Sequence, residues 1–297
     1  MPDVAFHNLY LKKAPEMGNP PIQEKLKTVS ALIKQHKDLR KPLELQEKLL
    51  LIQMEINKAS TSCEPTWIIE LLRRSIETKE PLIHFLDPSM IRTETRLHAL
   101  QRIMKVFVER DIDEKGVKEF FASVCKGKII LESLVKATLR EDAALVMETA
   151  ESVNLNPTIL LSMLRILIQP CLEEIAREID SSLLDNWWQA SCPICGETPV
   201  IAKIKHRKRF LMCTFCGAEY ASDTFLCVHC GNKDPYTLKF LTIAELPAFQ
   251  IDFCTKCKHY IKVIDGTRLK EEVPKGFEDV LTLDLDLIAK RNDLVRE

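Results

Sequence analysis

"CPICGETPVIAKIKHRKRFLMCTFCG", residues 192–217, places two CxxC pairs on either side of an alternating run and a basic turn, and "CVHCG" (227–231) and "CTKCK" (254–258) repeat the pattern. Eight of the chain's eleven cysteines fall in these pairs: Cys192 and Cys195, Cys213 and Cys216, Cys227 and Cys230, Cys254 and Cys257. A CxxC turn aims two thiolates at one point, and two such turns complete a tetrahedron of sulfurs. Glycine follows Cys195, Cys216 and Cys230, supplying the backbone freedom that a tight turn uses. The gap between the first two pairs is 17 residues and between the last two 23, each long enough for a hairpin that returns one turn to the other. Pairing the middle turns would close only 10 residues and leave the outer pairs to meet across a long loop. Sequential pairing therefore predicts two metal ions, each in a four-cysteine site. Iron and zinc both accept four thiolates, so spacing leaves the metal open.

Upstream of Trp188 the sequence follows a different pattern. In "RTETRLHALQRIMKVFVER" the residues Leu97, Leu100, Ile103, Met104, Phe107 and Val108 share one helix face, with Thr93 or Thr95 as N-cap. Helices are likewise predicted over 43–59, 114–127 with Gly127 as C-cap, 129–142, and 156–179 with a kink or break at Pro170. After Trp188, "VIAKIK", "RFLMC" and "HYIKVID" read as short strands, and "KGFEDVLTLDLDLIAKRNDL" as a terminal helix. The expected class is α+β multidomain: an all-α N-terminal domain over 1–188, a four-cysteine module over 189–224, and a second over 225–297 with the C-terminal helix. Cys63, Cys125 and Cys171 lie in or beside apolar segments and read as inert buried thiols.

A formal net charge of −1 gives no global attraction to nucleic acid or anionic membrane. "KIKHRKR", Lys203 to Arg209, is the local exception and raises a zinc-ribbon nucleic-acid-binding alternative. The segment 192–260 carries a formal +3, which two filled sites at about −2 each would reverse. The most apolar stretch, 159–172, holds Arg165 and is too short to span a bilayer, and the N-terminus lacks signal-peptide character, so a cytoplasmic protein without membrane insertion is expected. Cytosolic CxxC pairs point to metal rather than disulfides, and four of them do not resemble a thioredoxin-like dithiol. No acid, base and nucleophile constellation stands out, so no enzyme activity is expected. A two-centre iron electron-transfer protein is the remaining alternative.

The order "W..ASCPICGETPV", "RFLMCTFCGAEY", "FLCVHCGN" and "FCTKCKHYIKV", followed by an acidic, Leu-rich helix, resembles the FdhE family of formate dehydrogenase accessory proteins. The resemblance covers Trp187 to about Leu294. It implies a helical domain followed by two rubredoxin-like modules, with iron as the family's metal and all eight cysteines as ligands. It further implies a non-enzymatic cytoplasmic role, with the catalytic subunit of a molybdenum- or tungsten-dependent formate dehydrogenase, or a related metalloenzyme, as partner. Tyr220 stands where family members commonly have Trp, Phe225 where a basic residue is common, and Lys258 where the fourth turn often has Gly.

Overall fold

The computed structural model describes residues 20–59, 65–87, 94–179, 181–184, 187 and 189–296; Cys63 and Thr93 lie outside them. The helical half contains α1 (Ile22–Gln35), α2 (Arg40–Ala59), α3 (Pro65–Thr78), α4 (Glu94–Val108), α5 (Glu114–Cys125), α6 (Leu131–Leu139), α7 (Ala143–Ser152) and α8 (Pro157–Glu178), with short 3-10 turns at Leu82–Phe85 and Ser181–Leu184. Thr95 falls inside α4 rather than capping it. The Asn156 side chain accepts the Thr158 N–H at 2.9 Å and Pro157 opens α8 with its fixed φ. Past the end of α5, Gly127 takes φ 69°, and the Lys128 and Gly127 N–H groups bond back to the Ser123 and Val124 carbonyls as a helix-ending motif. Cys125 is exposed, so the expectation of a buried thiol fails there.

Pro170 does not split α8, which runs continuously from Pro157 to Glu178. Packing holds the helix through the missing backbone bond. Leu160, Met163, Leu164 and Leu167 are buried in the core of the helical bundle, and Ile168, Leu172 and Ile175 in a second core beyond it. Burial of these side chains, worth about 1.5–3 kcal/mol each, outweighs the roughly 3 kcal/mol that an internal proline costs.

The C-terminal half is built on one six-stranded sheet: β1 (Ile201–Lys205), β2 (Lys208–Met212), β3 (Glu219–Ser222), β4 (Leu238–Thr242), β5 (Phe249–Cys254) and β6 (Tyr260–Asp265), in the order β3-β2-β1-β6-β5-β4. Two ribbons of the same build, β1-β2-β3 and β4-β5-β6, are antiparallel within themselves and join through parallel pairing of β1 with β6. Their registers match: Met212 opposes Glu219 in one and Phe253 opposes Tyr260 in the other, each pair flanking a cysteine turn. Alternation along the strands gives the sheet two apolar faces. Ala202, Leu211, Tyr220 and Val263 pack with α3, α6 and α8 residues, whereas Ile201, Met212, Ile251 and Ile264 pack with α1, α2 and the C-terminal helices.

Those helices, α9 (Glu278–Leu281) and α10 (Leu283–Arg291), replace the single terminal helix expected and break at Thr282. Lys262, in the middle of β6, fastens them to the sheet. Its fully buried ammonium lies 2.6 Å from Asp279 and 2.8 Å from Asp286, and Arg296 and Tyr260 bond the same carboxylates. A buried cation here is held by two carboxylates and a backbone carbonyl, the condition under which a charged group tolerates burial.

Candidate metal centres

Each CxxC turn has the same backbone wiring. The N–H groups of Cys192, Cys213, Cys227 and Cys254 donate to the carbonyls of Glu197, Ala218, Asn232 and His259 at 2.9–3.0 Å. The residue after the second cysteine donates back to the carbonyl of the first, and this residue has positive φ in every turn: Gly196 77°, Gly217 75°, Gly231 68° and Lys258 66°. Three turns use glycine for the left-handed conformation and the fourth forces a lysine into it. The result is that both sulfurs of each turn face the same side.

The turns meet in sequential pairs. Cys192, Cys195, Cys213 and Cys216 form one cluster and Cys227, Cys230, Cys254 and Cys257 the other, with the sulfurs of each within 4.8 Å of one another. Closest approaches are Cys195–Cys213 at 3.4 Å and Cys192–Cys216 at 3.5 Å in the first, and Cys227–Cys257 at 3.6 Å and Cys230–Cys254 at 3.8 Å in the second. Four sulfurs converging without disulfide geometry suit a tetrahedral thiolate site, so both clusters could bind metal ions.

The first cluster is buried in the core between the helices and the sheet. Backbone bonds tie its leading turn to the helical half: Leu82 and Ile83 N–H groups donate to the Pro193 and Ile194 carbonyls at 2.9 and 2.8 Å. Arg165 of α8 pairs with Glu197 and lies 4.3 Å over the Phe215 ring. Burial pushes the Cys195 and Cys216 thiols well above their ordinary value. Burial opposes ionisation of Cys213 as well, but hydrogen bonds from Cys192, Cys195 and Cys216 outweigh it and hold that thiol well below the ordinary value. Four thiolates in so small and dry a space repel one another unless a cation stands at their centre.

The second cluster reaches the surface. Cys227 and Cys254 are buried, Cys257 half-buried and Cys230 exposed. Burial opposes charge on Cys254, yet the Cys257 and Lys256 N–H groups, the Cys230 sulfur and the Asn232 amide draw it down to about 7. Burial and its sulfur neighbours push Cys257 up to about 12. The Asn232 amide donates to the Cys254 sulfur at 3.5 Å, a contact that Asn232's place just after "CVHCG" signals only once Cys254 is known to return there. His229 and His259 stack beside this cluster with ring centroids 4.3 Å apart.

The basic stretch is largely spent inside the fold. Lys203 pairs with Glu278 and Lys205 with Glu219, both at 2.7 Å. Arg209 is buried, donates to the Asp223 and Leu226 carbonyls at 3.2 and 3.1 Å, and lies 3.9 Å from Asp252. His206, Arg207 and Lys208 remain exposed at the hairpin tip, too few for a phosphate-tracking surface.

No family model matches the chain. A protein of Aquifex aeolicus named "Protein FdhE homolog" is 31% identical over 134 residues, 43% of this chain and 47% of that protein. A second of the same name, from Stutzerimonas stutzeri, is 31% identical over 117 residues, 36% of each. The chain thus spans about half the length of the first relative and about a third of the second. The crystal structure of the FdhE protein from Pseudomonas aeruginosa shares the fold, with a TM-score of 0.58 over 96% of both chains at 18% identity. The chain is thus similar in sequence to FdhE homologues over less than half of its length, and similar in fold to the FdhE crystal structure.

Proposed function

We propose, with membership of the FdhE family as the premise, that this chain is a non-catalytic accessory protein that binds the catalytic subunit of a formate dehydrogenase, or a related molybdenum or tungsten enzyme, in the cytoplasm during its assembly. Each four-cysteine cluster holds one iron or zinc ion, with Cys192, Cys195, Cys213 and Cys216 as ligands of one and Cys227, Cys230, Cys254 and Cys257 of the other. When bound, the metal supplies a cross-link between two backbone turns, and for iron also a one-electron couple.

The observation that carries this reading is the completeness of both donor sets. Four cysteines fill a tetrahedron and leave no open position for a substrate, whereas catalytic zinc keeps one position free. The protein residues then act by shape. The first cluster locks the helices to the sheet through the Pro193 and Ile194 carbonyls, presenting both halves to a partner as one body. Among the described residues no helix is long and apolar enough to cross a membrane. Deleting the gene in the chain's own host tests the role: formate dehydrogenase activity should fall while its catalytic subunit is still synthesised, and return with the wild-type gene but not with Cys192→Ser. Full activity in the deletion strain would sink the assembly reading.

A further inference from the structure

The sheet has two edges, and the fold treats them differently. β3 packs against the 3-10 turn at Ser181–Leu184, while β4 has no strand on its outer side among the described residues and exposes Lys239, Phe240 and Thr242. Phe225, Tyr236 and Phe240 are the exposed aromatic side chains among the described residues, at 55%, 84% and 65% exposure, and all three belong to this neighbourhood. Tyr236 precedes β4, Phe240 lies in it, and Phe225 shares with Phe240 the lining of a cavity of about 280 Å³ that reaches Cys227 and Cys254. Lys233 pairs with Asp223 and Lys256 with Asp234, but Lys239 has no ion-pair partner among the described residues.

A bare strand edge beside large exposed aromatics is an aggregation hazard that folding alone does not favour. A lysine in the edge would guard it; Phe240 next to that lysine undoes the guard. We propose that β4 is a docking edge on which an extended, acid-bearing segment of the client protein adds as a seventh strand. Main-chain bonds to β4 would supply affinity, an apolar side chain would enter the cavity between Phe225 and Phe240, and a client carboxylate would meet Lys239, which lines the same cavity. Docking there places the client beside the second cysteine cluster, whose Cys227 and Cys254 line the same cavity. The proposal rests on the reading that the client is a formate dehydrogenase catalytic subunit.

The test titrates the purified catalytic subunit of the host's formate dehydrogenase against the wild type and Phe225→Asp, Phe240→Asp, Lys239→Glu and Met147→Asp variants. Met147, half exposed at a separate cavity of about 440 Å³ beside the first cluster, is the comparator. Metal content and melting confirm that each variant is folded. The two Phe variants should weaken binding about tenfold or more, as central aromatic anchors do. Lys239→Glu should also weaken it, most at low salt, and Met147→Asp should bind as the wild type does. Amide exchange of residues 238–242 in the wild-type complex gives an independent readout and should slow. Wild-type binding with both Phe variants unaffected, loss confined to Met147→Asp, or unchanged exchange in β4 would overturn the docking edge and leave the assembly role standing. No binding of the wild type to that subunit would overturn both.

Discussion

Replacing Lys262 by Met keeps the packing volume of the central strand and removes the buried cation beneath α9 and α10. Removing one member of a buried ion pair costs about 3–5 kcal/mol, because the partner charge is left in a poor solvent. Two features favour the lower end. Arg296 still reaches Asp279 at 2.7 Å and Asp286 at 2.9 Å, and Asp279 keeps 36% of its side chain in water. About 3 kcal/mol is the expected loss, and with a urea slope of roughly 3 kcal/mol/M the unfolding midpoint of the metal-loaded protein should fall by about 1 M. The pH dependence has a definite sign. Burial raises the Asp279 carboxyl, but Lys262 and Arg296 outweigh it and hold the group below its ordinary 3.8. A depressed carboxyl contributes stability above its unfolded value and loses it as pH falls through the folded one. Wild type and Lys262→Met should therefore converge below about pH 4, the unfolded carboxyl range. An unchanged midpoint at pH 7, or a difference that persists undiminished into acid, would refute the clamp.

Lys258→Gly relieves the one cysteine turn that places a side-chain-bearing residue at φ 66°, so it should raise stability by about 1 kcal/mol without changing metal content; calorimetry that shows a lower melting temperature would contradict this. A mild chelator should strip the second cluster first, since Cys230 is exposed whereas all four cysteines of the first cluster are buried; mass spectrometry after alkylation should find Cys227, Cys230, Cys254 and Cys257 labelled before the other four, and the reverse order would defeat the argument. Generic duplex DNA should show no measurable binding at 0.15 M salt, and Arg207→Glu with Lys208→Glu should change nothing, because Lys203, Lys205 and Arg209 are engaged internally. Tight, salt-sensitive binding lost in that variant would revive the nucleic-acid reading.

The cysteine clusters were legible because their geometry is local: a CxxC spacing and a following glycine specify a turn within five residues, and hairpin-length gaps specify its partner. The long helices were legible from apolar periodicity. What escaped depends on contacts distant in sequence. "HYIKVID" reads as a strand, but alternation alone does not show that Lys262 is buried, since its partners Asp279 and Asp286 lie on helices many residues later. The parallel pairing of β1 with β6, which fuses the two ribbons into one sheet, has no signature in either strand. β3, β4 and β5 were not picked out: four to six residues long, they lie among cysteine turns and loops that break up any periodicity. Pro170 misled because the packing on both sides of α8, which overrides a local breaker, is a tertiary fact. "KIKHRKR" looked like a surface patch because Glu219, Glu278 and the Leu226 carbonyl, which absorb three of its charges, lie outside it.

The most direct test of the central claim is the metal count per chain in protein purified anaerobically from its own host, for the wild type and for Cys230→Ser. The account predicts two metal ions in the wild type, and one in Cys230→Ser with the melting of the helical half retained, because the first cluster is independent of Cys230 and is buried in the core that joins helices to sheet. A wild type that carries no metal, with Cys195 joined to Cys213 and Cys230 to Cys254 as disulfides, would contradict it.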